Sequence, residues 1–186
     1  MSSFYSNEEL ARLGLKAYGK DVFISRKASL YNPSCIIIGN HVRVDDFCIL
    51  SGKIRIGDYV HISAYSAIFA GDAGVEIGSF SGLSSRCAVY AISDDYSGEF
   101  MSNAMAPDKY RNVQSEKVTI GDHVIIGTGS TVLPGVRITD GVAVGCMSLV
   151  KESLEVKGIY CGIPVRKIKG RKDRFIELEK EIRDEE

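Results

Sequence analysis

The chain has 186 residues, of which 45% are hydrophobic, enough to build one continuous core in one domain. Its 23 basic and 24 acidic residues nearly cancel, which argues against nucleic acid or an anionic membrane surface as a partner. No apolar run reaches the length of a membrane span, and five cysteines without CxxC spacing give no zinc site and fit a reduced, cytoplasmic setting.

Residues 1–20 read as an N-terminal cap. Met1 to Asn7 is polar and lacks the apolar segment of a signal peptide. Ser6-Asn7-Glu8-Glu9 has the pattern of a capping box, and Leu10, Leu13 and Leu15 follow it in a short helix.

From residue 21 to residue 169 one period dominates. Ile38, Val44, Leu50, Ile56, Ile62 and Ile68 stand six residues apart. After a short insertion at Ala70–Gly74 the series resumes at Ile77, Leu83 and Val89. It returns a third time at Ile120, Ile126, Val132, Ile138, Val144 and Val150. Six is a multiple of the strand period of two and not of 3.6, so these residues share one side of an extended chain. Gly39-Asn40, Gly57-Asp58 and Gly121-Asp122 supply turns between short strands. Four places after each aliphatic residue sits a compact one, including Cys48, Ser66, Cys87 and Ser130, which reads as a small core residue. Short strands with one aliphatic side bury that side by coiling over themselves, so an all-β, parallel β-solenoid is expected.

Residues 93–117 interrupt the solenoid with a loop rich in Asp, Ser, Asn, Met and Tyr. A loop of that length in a compact repeat protein is usually functional or disordered, and Asp94, Asp95, Tyr96, Met101, Met105 and Tyr110 argue against disorder. Past the last repeat, Gly162-Ile163-Pro164-Val165-Arg166-Lys167-Ile168 directs the chain off the solenoid, since Pro fixes φ and Gly permits close approach. Residues 170–186 are highly charged, with Phe175, Leu178 and Ile182 at i, i+3 and i+7. A C-terminal amphipathic helix lying against the solenoid or a neighbouring subunit is expected, the alternative being a solvated tail after about Glu181.

The tandem pattern resembles the hexapeptide-repeat acyltransferases over roughly residues 20–170. That resemblance implies a left-handed parallel β-helix, three hexapeptides to a coil; the hand comes from the resemblance, because the general crossover rule favours the opposite one. The Gly162-Ile163-Pro164 run is similar to the Gly-x-Pro-Ala-Lys/Arg-x-Ile/Val signature of the sugar-acetyltransferase branch. By that likeness acetyl-CoA is the donor. Gly162, Ile163, Pro164, Arg166 and Lys169 then lie near its phosphates, with Gly127, Thr128, Gly145 and Cys146 beside the pantetheine arm and Lys151 near the phosphate end. The resemblance further implies a homotrimer whose long loop reaches an adjacent protomer, with active sites between subunits.

Sugar O-acetyltransferases of this kind carry a histidine near the loop as general base, and here none of His41, His61 and His123 falls in it. Their spacing suggests no metal site either. A sugar hydroxyl needs a base to attack a thioester near neutral pH, whereas an unprotonated amine is already a nucleophile. It needs positioning, a stabilised oxyanion and a destination for its proton. Asp94 and Asp95 are the candidate catalytic carboxylates, with Ser84 the third catalytic candidate; Arg86, Tyr90 and Glu99 are candidates for binding the acceptor. The expectation is an N-acetyltransferase for a nucleotide-linked amino-deoxysugar, such as a dTDP-4-amino-4,6-dideoxyglucose, used in surface polysaccharide synthesis. The alternatives are an O-acetyltransferase with His61 or His123 as base, and a non-catalytic β-helix scaffold.

Overall fold

A computed structural model of the chain describes residues 3–185. The aliphatic residues six apart fall in turn onto three flat faces, and each face is a ladder of short parallel strands. On one face Val44, Ile62, Leu83, Ile126, Val144 and Tyr160 stand in register across successive coils. On the next the rungs are Leu30, Leu50, Ile68, Val89, Val132 and Val150. Ile38, Ile56, Ile77, Ile120 and Ile138 line the third. Every one of these side chains except Leu30 is buried, so the interior is three aliphatic columns meeting along the axis. This is the left-handed parallel β-helix expected for a hexapeptide-repeat chain.

The small residue of each repeat has a second job. Where the backbone bends between faces, Ser66 Oγ donates to the carbonyl of Ser84 at 2.9 Å, Ser81 Oγ to Gly121 at 2.8 Å and Ser130 Oγ to Gly145 at 3.0 Å. Cys48 and Cys87 do the same more weakly with their thiols, toward Ser63 and Gly127. Burial raises both thiols, Cys48 to about 11, so neither is a nucleophile.

The Gly-Asx corners form a ladder of their own. The side chain of Asn40 accepts from the backbone N–H of Lys20, Asp58 from that of Asn40, Ser79 from that of Asp58, Asp122 from that of Ser79, and Asp140 from that of Asp122. Each acceptor tucks beneath the glycine of the coil before it. The residues that follow, His41, Tyr59, Phe80 and His123, all have φ between 54° and 56°. That left-handed conformation costs a non-glycine residue roughly 1–2 kcal/mol. Ring stacking at centroid distances of 4.5, 4.6 and 5.3 Å offsets part of it.

The capping box forms as expected: Glu9 N–H donates to Ser6 Oγ, and Ser6 N–H to Glu9 Oε2. The helix it starts, α1, is only Asn7–Leu10. Leu10 is buried, while Leu13 and Leu15 lie beyond the helix and still pack on the core. Ala17–Tyr18 already pairs in parallel with Ile36–Ile38. The short insertion at 70–74 does not break the solenoid. It widens a corner inside the strand Ala67–Ile77, with a register shift against Ile49–Ile56. The long loop leaves and returns through an antiparallel pair, Ile92–Ser93 with Gln114–Ser115.

The last helix, α2, spans Arg174–Asp184 and lies against the solenoid, with Phe175 alone of the apolar stripe read from the sequence in contact with it. Phe175 packs on the His123 ring, Glu179 Oε2 lies 2.6 Å from His123 Nε2, and Arg183 reaches over Phe80. These residues are spaced i, i+4 and i+8. Leu178 and Ile182 are exposed, because the end of the aromatic stack, rather than an aliphatic groove, is what the helix meets.

Candidate active site

The loop and the second face enclose a cavity of about 760 Å³. Phe69 and Tyr90 form part of its floor, stacked at 5.1 Å on adjacent coils. Their side chains point outward because each follows a buried rung, Ile68 or Val89. Ile92, Val113 and Leu133 add apolar wall, and Asp94 and Arg111 bring opposite charges from the outgoing and returning limbs of the loop. Arg111 donates from Nη2 to Asp94 Oδ1 at 3.4 Å. An apolar cleft with a few convergent polar groups is the usual form of a small-molecule site.

A second cavity of about 330 Å³ opens further along the same face, between Lys151, Glu152, Ser153 and Leu154 on one side and Pro164, Val165 and Arg166 on the other. Ile159–Gly162 and Val165–Lys169 are antiparallel strands joined by the Gly162-Ile163-Pro164 turn, and this hairpin brings Arg166 back toward Lys151. Leu133 of the first cavity and Lys151 of the second follow the paired rungs Val132 and Val150, so the two openings belong to successive coils. A third hollow, of about 430 Å³, lies at the Gly-Asx corners. Its Asp58, Asp122 and Asp140 already accept backbone N–H groups, so it is the groove of the structural ladder.

Of the residues singled out in the sequence, Asp94 and Tyr90 meet in the large cavity, and Lys151, Pro164 and Arg166 in the smaller one. Asp95 lines neither. Its Oδ1 accepts the Ser97 backbone N–H at 2.8 Å and its Oδ2 the Asn112 amide at 3.2 Å. The Ser97 hydroxyl, Ser97 N–H and Asn112 together hold its carboxyl below the usual range. Asp95 thus clasps the loop to itself. Glu99 is exposed and lines none of these three cavities, and Lys169 stands at the far end of its strand opposite Ile159. Ile163 is exposed at the turn, and Gly162 takes φ +113°, which glycine alone adopts without strain.

Ser84, Gly127 and Gly145 follow the paired rungs Leu83, Ile126 and Val144, so they form one column at the corner where the first face turns into the second. Thr128 and Cys146 occupy the next positions of that corner. A Cβ on Gly127 would meet the backbone N of Cys146 at 2.6 Å, so glycine there is required by coil stacking alone. Arg86 sits in the corner with φ +62°, its guanidinium 5.9 Å from the Tyr65 ring, and lines none of these three cavities. The site residues the sequence reading missed are Arg111, Phe69 and Leu133. The last two were legible in principle, as the outward positions next to Ile68 and Val132.

The histidines are engaged elsewhere. His61 Nε2 lies 2.8 Å from Asp45 Oδ2; burial opposes ionisation of that carboxylate, but hydrogen bonds from Arg43 and His61 outweigh it and hold it below its ordinary range. His123 is clamped between Phe80 and Phe175, and His41 stacks on Tyr59. Replacing His61 by Gln is therefore expected to leave kcat/KM at the wild-type level in a thiol-release assay. No group of three metal-ligating side chains comes together among the described residues, and no helix there is long and apolar enough to cross a membrane.

The fold, a β-helix with one long loop over a cleft beside a basic terminal hairpin, defines a hexapeptide-repeat acyltransferase. No protein-family model matches the sequence. The dTDP-4-amino-4,6-dideoxy-D-glucose acyltransferase of Escherichia coli is 45% identical over 174 residues, 92% of this chain and 90% of its own length. The chain belongs to the same family as that enzyme. It is also similar to AntD, an N-acyltransferase from Bacillus cereus. The S84A variant of AntD, crystallised with dTDP-4-amino-4,6-dideoxyglucose and coenzyme A, is 53% identical over the whole of both chains, with a TM-score of 0.98. AntD in complex with dTDP and 3-hydroxybutyryl-CoA is 54% identical over all of this chain and 98% of that one, with a TM-score of 0.97. The alternative of a non-catalytic scaffold is set aside by this kinship.

Proposed function

We propose that this protein transfers an acetyl group from acetyl-CoA to the amine of a dTDP-linked 4-amino-4,6-dideoxysugar. The observation that carries the reading is the cleft itself: a carboxylate, Asp94, stands in it, and all three histidines are held in structural contacts outside it. The nature of the relatives supports the nucleotide and the coenzyme, since AntD binds both. AntD has also been crystallised as variants at a serine and an aspartate numbered 84 and 94 in that protein, and this chain carries Ser84 and Asp94 at the same numbers.

The neutral amine attacks the thioester carbonyl, a C–N bond forms, and the carbonyl oxygen becomes an oxyanion. Collapse breaks the C–S bond and releases the coenzyme A thiolate. The proton lost from nitrogen passes to Asp94 and then to solvent or the thiolate. Before attack the same carboxylate attracts the acceptor as its ammonium, which gives one proton to solvent to become the neutral amine and leaves Asp94 ionised for the second. Tyr90 and Phe69 offer apolar surface to the sugar or the base. Ser84 and Arg86 do not line the cleft within one chain, which fits an active site completed by the corner of a second subunit in a homotrimer. Arg86 then meets the diphosphate and Ser84 the reacting centre. Glu99, near the tip of the loop, is the remaining acceptor candidate.

Lys151 and Arg166 face a pocket suited to the phosphates of coenzyme A, with Gly162-Ile163-Pro164 shaping its rim and Lys169 beyond it. The Gly127-Thr128 and Gly145-Cys146 corners give the pantetheine arm a shelf without bulky side chains. A Lys151→Ala, Arg166→Ala double variant is expected to raise KM for acetyl-CoA by about tenfold or more with kcat retained, read from initial rates. We assign the product to surface polysaccharide synthesis, because a modified nucleotide sugar is the activated form a glycosyltransferase consumes. A cytoplasmic setting agrees with the thiols of Cys35, Cys146 and Cys161, which are free and exposed.

The test is thiol release from acetyl-CoA against dTDP-linked aminosugars and their hydroxyl counterparts. Activity confined to the amines is expected. Turnover of the hydroxyl sugars, abolished by replacing His61 or His123, would establish the O-acetyltransferase instead.

A further inference from the structure

The returning limb of the loop carries a cation, Arg111, beside the carboxylate of Asp94. The side chain of Arg111 is only 17% exposed, at the wall of the 760 Å³ cavity. Its Nη2 donates to Asp94 Oδ1 at 3.4 Å and its Nη1 to Asp108 Oδ1 at 3.3 Å. Its Nε is buried and has no hydrogen-bond partner among the described residues. Asp108 is 99% exposed, so water screens that pairing almost completely. Asp94 is thus the anchor that matters, and its Oδ2 accepts from no protein donor among the described residues.

We infer that Arg111 is the positioning residue of this site: it holds one carboxylate oxygen of Asp94 and leaves the other for the acceptor's amine. This rests on the reading of Asp94 given above. The need for such a residue follows from the surroundings. Phe69, Tyr90, Ile92, Val113 and Leu133 make the cavity largely apolar, so few side chains in it can hold a carboxylate in place. The planar fork of Arg111, itself largely buried, fixes the direction of the Asp94 carboxylate through Nη2 and Oδ1. The remaining titratable groups nearby do not substitute for it. The Asp95 carboxylate is taken by Ser97 and Asn112, and Tyr90 and Tyr96 bring no cation to the cavity. The pairing also joins the two limbs of the loop, so the position of Asp94 depends on the loop being closed.

The experiment is the pH profile of kcat/KM for the full chain and for Arg111→Met, Arg111→Lys, Asp94→Asn and the Arg111→Met, Asp94→Asn double variant. Arg111→Met is expected to lose on the order of 10²-fold near neutral pH. Its acid limb should move to higher pH, as for a carboxylate deprived of a neighbouring cation. Arg111→Lys should restore the limb more fully than the rate, since an ammonium keeps the charge but not the planar fork. In the Asp94→Asn background, removing Arg111 should cost nothing further. Arg111→Gln, which keeps donors but drops the charge, reads the same limb should the Met variant fail to fold. An unmoved acid limb with multiplying losses overturns the role of Arg111. Wild-type kcat/KM in Asp94→Asn instead overturns the reading of Asp94, so the two failures are told apart.

Discussion

Replacing Asp94 by Asn is expected to lower kcat/KM by about 10²–10⁴-fold and to leave the melting temperature nearly unchanged. The amide keeps the shape of the side chain and removes its charge. What is lost is the attraction for an ammonium acceptor and the destination of the amine's proton. The fold loses little, because the pairing with Arg111 is long, at 3.4 Å, and Asp94 is 38% exposed. Such pairs contribute only about 0–1 kcal/mol. Asp95→Asn serves as the contrast. Its carboxylate organises the turn through Ser97, so the variant should loosen the loop while retaining the pH dependence of the wild type. Initial rates at saturating acetyl-CoA, with thermal melts of the same preparations, separate the two. Equal losses in both variants, or a loss in Asp95→Asn alone, would move the chemistry away from Asp94.

The sequence disclosed the solenoid because its cause is local and repeated. Every sixth residue meets the same neighbours in every coil, so Ile62 and Ile126 declare the same environment without reference to anything remote. The Gly-Asx corners were legible as turns, but not as a ladder in which Asp122 caps the N–H of Ser79, 43 residues away. The loop obeys no period. That Asp94 rather than Asp95 lines the cleft is decided by Ser97, Asn112 and Arg111, and no spacing rule connects those residues. The stripe of Phe175, Leu178 and Ile182 shows a related limit, since within the single chain only Phe175 of the three meets the solenoid. Helical periodicity marks an apolar side but not the surface it will meet, and here the surface ends in His123, whose ring and Nε2 select Phe175 and Glu179.

Glycine at the corners gives the other large effect, this time on stability. A Gly78→Ala variant is expected to lose about 2–4 kcal/mol, because an added Cβ would lie 2.6 Å from both the Asp122 backbone N and the Gly121 carbonyl carbon. Both are backbone atoms of the next coil, and the rungs Ile77 and Ile120 on either side hold that coil in place. The strand pair must open, and opening it strains the hydrogen bond that Asp122 Oδ1 accepts from Ser79. For a chain of this length the loss corresponds to a fall in melting temperature of roughly 5–15 °C. Removing the Asp122 side chain as well should not rescue the variant, since the clash with backbone remains. Gly170→Ala is the control, with nothing within 4 Å of the added methyl and no positive φ, and should melt with the wild type. A rescue by Asp122→Ala would mean that the glycine is needed only to admit a carboxylate. Without rescue, the distance between coils is itself the constraint that puts glycine after the aliphatic residue at these corners.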